Sequence, residues 1–254
     1  MTAVIGLFLR ELGRLFAGSA ATFALPLGLA WFYWQYFYGG LDTGAVDGAD
    51  AVFRAASLVI GPLSVWAAAP ALAAERAEGT ATLWAISAVR PAQVLGGKFA
   101  AIMTFLIFAA LVILGPALWQ LAAAGAMAPE RALAGGGGLL LLAALATSVT
   151  LLASALATHF STAFVAGFGF LALWGWATDL LERLAIAAAD LMPQVLSGWV
   201  ASLFHPVSGW GGKAVLSPLF VGWVDLGAVC GLLAATFMGL LIAHQVVASE
   251  QWRG

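Results

Sequence analysis

The sequence predicts an all-α, polytopic membrane protein, and three observations carry that prediction. Hydrophobic residues make up 63% of the 254 residues and charged residues only 9%, with a mean hydropathy of +1.01. A soluble domain cannot build an ordinary surface from that composition. The apolar residues fall into repeated runs close to the length of about 20 that a helix needs to cross a hydrocarbon core. The few charges gather between the runs, most densely over 75–98. The resulting architecture has six transmembrane helices in a single domain, 1–254. An N-terminal interfacial helix covers 4–17, an intracellular connection 75–98, and an outer helical hairpin 179–224.

The N-terminus does not read as a cleavable signal, because apolar Ala3 to Leu9 precedes the charges Arg10, Glu11 and Arg14 instead of following them. Val4, Ile5, Phe8, Leu12, Leu15 and Phe16 recur at helical spacing, with Arg10 and Arg14 one turn apart on another face. This is the pattern of an amphipathic helix in the membrane interface, its arginines toward lipid phosphates; a plain basic flank that fixes topology is the alternative. Span one follows over about 20–38 and ends in an aromatic belt, Trp31 to Tyr38. The loop to Asp50 has three aspartates and no Lys or Arg, which suits the outer side. Span two, about 52–74, carries Ser57, Gly61, Ser64, Ala68 and Ala71 as one stripe of small residues that continues to Glu75 and Glu78.

In the inner connection, Glu75, Arg76 and Glu78 follow directly on span two. Gly79-Thr80 breaks the backbone, with Thr80 placed to cap a short helix over Ala81 to Ser87. Arg90-Pro91 closes it, since the residue before proline disfavours the helical region. Such a helix across the end of a bundle suits a groove on a soluble partner, with Glu75, Arg76 and Glu78 as polar contacts and Leu83 or Trp84 as the apolar anchor.

The series Glu75, Arg76, Glu78, Gly79, Thr80, Leu83, Arg90-Pro91 and Gly97-Lys98 resembles the intracellular coupling segment of the type-2 ABC exporter permeases. It looks nearest to the branch of gliding-motility and nitrous-oxide-reductase maturation permeases. The resemblance implies six spans, an elbow helix and outer helices between spans five and six. It also implies ABC ATPase subunits as partners, in two copies, beside a second permease chain, identical or paralogous. ATP and Mg would be bound by those ATPase subunits, with no cofactor in this chain. The location implied is the bacterial inner membrane, with both termini cytoplasmic. The segment around Gly212-Lys213 loosely resembles a basic-Gly segment of the gliding-motility branch, with the order reversed and Ser217 where an acid is usual.

Span three runs over about 99–123 with Pro116 able to kink it. Gly135 to Gly138 lacks the Lys-Ser/Thr ending of a phosphate loop and runs into four leucines, so it reads as a flexible or tightly packed start to span four. His159 marks the turn into span five, 160–178. Thr150, Ser154, Thr158 and Ser161 lie at helical spacing, and Phe160, Phe164 and Phe168 repeat every four residues. Hydroxyls facing aromatics could line a route for an amphiphile; in a membrane the same residues also serve simply as packing. Beyond span five, Asp179, Glu182, Arg183 and Asp190 form a helix-like run before Pro193. Span six covers about 225–248, with Cys230, the one cysteine, inside it.

With both termini inside, the inner segments hold six basic against four acidic residues and the outer segments four against eight, the bias expected of that orientation. Three functions compete. One is the membrane subunit of an ABC exporter. The second is an anchor passing ATPase-driven mechanical work to a periplasmic machine without solute transport. The third is a secondary transporter, which would ordinarily place charges at the centre of its spans. No Walker A sequence occurs, so an ATP-driven role needs a separate ATPase chain and makes this one a non-enzymatic subunit. Apolar, hydroxyl-bearing spans without a charged centre favour a lipid-linked or amphiphilic solute over a bare ion, and the net charge of −2 gives no reason to expect nucleic acid.

Overall fold

A computed structural model describes the backbone of residues 2–35, 48–79, 90–191 and 212–251. In chain order the helices are α1 (Thr2–Ala17), a π-helical turn (Ala20–Ala24), α2 (Leu25–Trp34), α3 (Gly48–Ala68) and α4 (Pro70–Ala77). They continue with α5 (Pro91–Ala123), α6 (Pro129–Leu156), α7 (Phe160–Leu191), α8 (Gly212–Val221) and α9 (Leu226–Gln251). There is no strand among the described residues.

Four stretches are long and apolar enough to cross a membrane: Asp50–Ala77, Pro91–Ala123, Pro129–Leu156 and Leu226–Ser249. A fifth results if Ile5–Ala17 and Ala20–Trp34, bent by 42° at their junction, count as one span. The architecture is a multi-span helical membrane bundle. The bend falls where the amphipathic N-terminal helix was expected to meet span one.

Span five differs from its expected bounds. Its apolar part, Phe160–Gly175, is shorter than the other spans, yet α7 does not stop at Thr178 and continues to Leu191. Asp179, Glu182, Arg183 and Asp190 bring no breaker, and Pro193 is the first proline after them. At 32 residues the helix is about 48 Å long, more than a hydrocarbon core of about 30 Å. The turn of the expected hairpin lies outside the described residues, and α8 falls within the stretch expected to form its second half.

The bundle is built around α6, which packs against α3, α5, α7, α8 and α9. Small residues make this possible, because backbones approach closely where side chains do not intervene. A Cβ on Gly167 of α7 would come 2.5 Å from Thr150 Oγ1, and one on Gly239 of α9 would come 3.0 Å from Ser148 Oγ. Gly135 and Gly138 are buried, against Phe53 and Leu219, while Gly136 and Gly137 would accept a Cβ in open space. The glycine run is thus packed on one side. Along α3 and α4, Gly61, Ser64, Ala68 and Ala71 of the small-residue stripe are buried. On α9, Leu233, Phe237, Met238, Leu241 and Ile242 are exposed and turn outward, as on a lipid-facing helix.

Segments assigned by charge to opposite faces gather at opposite ends of the bundle. One end unites Glu11, Glu75, Lys98 and the turn at Ala157. At the other, Arg131 lies against Gly222, and Phe53 of α3 stacks on Phe220 of α8 at 5.8 Å.

Candidate functional site: the roots of the inner connection

Span two is broken near its end. Pro70 has no N–H to give to the preceding turn, and α4 restarts there with Ala69 as an N-cap that offers no side-chain hydrogen bond. The freed groups are satisfied from another helix. Ser154 Oγ of α6 accepts the backbone N–H groups of Leu72 (3.0 Å) and Ala73 (2.9 Å) and donates to Ala69 O (2.8 Å). One buried hydroxyl therefore caps the N-terminus of α4 across the helix interface.

Two turns into α5, Lys98 points into the bundle and is 3% exposed. Its Nζ donates to Ala71 O (2.7 Å) and Glu11 Oε1 (3.0 Å) and lies 2.9 Å from Glu75 Oε1. An ammonium has three protons, and all three have an acceptor. Arg14 Nε donates to the second oxygen of Glu11 at 3.0 Å. Two carboxylates thus face two cations, which is the condition for keeping charges out of water. The cluster ties α1, α4 and α5 together. α1 also lies along α5, with Phe16 edge-on to Phe105 and Phe108 at 5.4 and 5.2 Å.

Past Glu75 the chain leaves the bundle. Arg76 Nη1 reaches Ala157 O at the turn between α6 and α7, at 3.4 Å. Glu78 ends α4 and is exposed, and Gly79 has φ +71°, a conformation that favours glycine. The chain resumes at exposed Arg90, extended at φ −73° and ψ 145°, as the residue before proline should be. Gln93 accepts the Arg90 N–H at 3.1 Å, and Pro91 opens α5. Thr80, Leu83 and Trp84 lie outside the described residues.

The residues predicted for partner contact therefore divide. Glu78 and Gly79 are at the surface, Arg76 is half-buried, and Glu75 is turned inward to Lys98. Of the predicted interfacial arginines, Arg10 is exposed, while Arg14 is half-exposed and bonded to Glu11. Thr150 is buried with its hydroxyl on Ala146 O (2.7 Å), Ser154 caps α4, and Thr158 is exposed in the α6–α7 turn. Phe164 and Phe168 stack on each other at 6.0 Å, and Phe164 meets Trp66 edge-on at 5.6 Å. The hydroxyls of Thr150 and Ser154 are thus spent inside the bundle, whereas the two rings border grooves on its flank.

Sequence reasoning passed over Lys98 and Glu11 as a pair. The signal was present at Glu11, which stands three residues after Phe8 and four before Leu15, within the apolar stripe of its helix.

Compared with models of known protein families and with curated protein sequences, the chain finds a match in neither.

Proposed function

We propose that this chain is the membrane-spanning permease subunit of an ATP-driven ABC exporter, and that ATP is hydrolysed by a separate nucleotide-binding chain docked on the connection between Glu78 and Arg90. The observation that carries this reading is the anchoring of both roots of that connection. Lys98 joins the exit helix α4 to the re-entry helix α5 and to α1, and Ser154 fixes α4 to α6. A push on the exposed end is then delivered to several packed elements instead of being absorbed by a loose loop. The absence of a Walker A sequence agrees with hydrolysis elsewhere.

The test is purification from native membranes under mild detergent, followed by reconstitution. An ATPase should co-purify, and native mass should give two permease chains with two ATPase chains. Glu78→Arg should lower transport per ATP hydrolysed while leaving the protein inserted and abundant. Parent-like coupling in that variant would remove Glu78 from the interface, and absence of any ATPase would remove the reading altogether.

The internal bonding of the Thr150 and Ser154 hydroxyls favours a second reading, transmission of mechanical work without a solute. A screen of lipids, amphiphilic drugs and small sulfur or metal species for stimulation of ATP hydrolysis separates the two. Stimulation supports export, and indifference to every addition supports mechanical work.

A further inference from the structure

On the flank of the bundle, α3, α7 and α8 enclose a groove of about 460 Å3, within the range of about 300–1,000 Å3 usual for small-molecule sites. Leu58, Pro62, Leu142, Phe168 and Phe220 make its walls mainly apolar, and Gly61 of α3 forms part of its floor. It opens sideways, since Leu58 is 58% exposed and Phe168 is also exposed. Among the described lining residues one cation, Arg54, stands at the end away from Lys98. Asp50, itself 4% exposed, accepts from Arg54 Nε at 2.8 Å. Among the described residues the guanidinium has no other bonded partner, so both Nη groups keep their protons to offer. Its side chain is 47% exposed.

We propose that this groove binds an anionic phospholipid of the surrounding bilayer, with an acyl chain between α3 and α7 and the phosphodiester on the Nη groups of Arg54. The proposal goes beyond the reading of the chain as a permease and does not require it. Three features select this occupant. An apolar trough with a cation at one end matches an amphiphile with an anionic head, not a free solute. The cation lies one turn inside the first turn of a spanning helix, roughly 6 Å in, at the level where arginine snorkels to lipid phosphate. The buried carboxylate behind it fixes the guanidinium by its Nε and leaves the Nη side in the fork geometry that suits phosphate.

The experiment titrates phosphatidylglycerol, and separately phosphatidylcholine, onto the delipidated full-length chain in mild detergent, with bound lipid counted by native mass spectrometry. The parent should bind phosphatidylglycerol in preference to phosphatidylcholine. Arg54→Gln should weaken phosphatidylglycerol about ten-fold and remove the preference, and Arg54→Lys should keep part of it. Gly61→Phe has room for its Cβ, which would meet Leu171 at 3.4 Å, and its ring would occupy the trough. This variant should reduce binding of both lipids with Arg54 intact. Unchanged helicity and monodispersity identify variants that have folded. An unaltered preference in Arg54→Gln overturns the proposal. So does oxidant-driven disulfide crosslinking of Leu58→Cys between two copies with no lipid bound, in a Cys230→Ser background that removes the exposed native thiol, which would make a second copy the occupant.

Discussion

Lys98 and Arg54 are both cations carried by spanning helices, at opposite ends of one bundle, and the difference between them separates a structural charge from a binding one. Lys98 is sealed, every proton taken by an acceptor within the protein. Arg54 is half-exposed, with one nitrogen held by a buried carboxylate and, among the described residues, the rest of its donors uncommitted. Each cation is held by carboxylate, from two residues at Lys98 and one at Arg54. Saturation of the hydrogen-bonding capacity is what differs, and it decides which site can take up a ligand.

That contrast can be broken most forcefully at the sealed end. Lys98→Met leaves Glu11 and Glu75 facing each other without their shared cation, and should cost about 3–5 kcal/mol. The check is resistance to unfolding in mixed detergent and SDS. Adding Glu11→Gln and Glu75→Gln to the same variant should restore most of the loss; failure to do so would show that packing, not charge compensation, sets the stability there.

A smaller effect belongs to the cap beneath it. Ser154→Ala strands two N–H groups and a carbonyl at the Pro70 break, for a loss of about 1–3 kcal/mol. Amide exchange should quicken at Leu72 and Ala73 and stay slow along α3, since the damage is local. Uniform acceleration would mean that the hydroxyl supports the whole bundle.

The glycine run tests packing without charge. Gly135→Ala drives a Cβ into the Phe53 ring and should destabilise by about 1–3 kcal/mol. Gly136→Ala meets nothing and should stabilise by about 0.5–1 kcal/mol through helix propensity. Thermal unfolding of the two variants side by side distinguishes them.

Least of all should follow from Arg54→Gln without added lipid. Asp50 is buried, but Arg54 is half-exposed and the glutamine amide keeps a donor within reach of the carboxylate, so the loss of thermal stability should stay within about 1 kcal/mol while lipid selectivity falls. A large loss of stability at Arg54 would erase the distinction between the two cations.

Four of the six expected spans, and a fifth if the bent N-terminal pair counts as one, were legible because hydropathy is a property of the chain itself, independent of any partner residue. The bend after Ala17 and the extended Arg90 were legible for the same reason, amphipathicity and a proline acting locally. The sealed cluster was not. Lys98 lies far along the chain from Glu11 and takes part of its coordination from a backbone carbonyl, Ala71 O, which no residue pattern announces. Glu75 carried the same concealment: in a run of charges beside a membrane boundary it looks like a solvated contact, and only packing turns it inward. Ser154 was visible as one of a stripe of hydroxyls, but its role depends on Pro70 lying opposite.

The sealed lysine also has a consequence for how the protein is made. Translation proceeds from the N-terminus, so Glu11 and Glu75 have both emerged before Lys98 leaves the ribosome. The interval from Glu75 is 98 − 75 = 23 residues, or about 1–5 s at ordinary elongation rates. The third hydrophobic segment therefore reaches the insertion machinery carrying a cation that lipid disfavours, while the two carboxylates able to neutralise it already wait in the nascent chain. Pairing with them offsets the cost of taking that cation out of water, and the order of synthesis makes both partners available before it arrives.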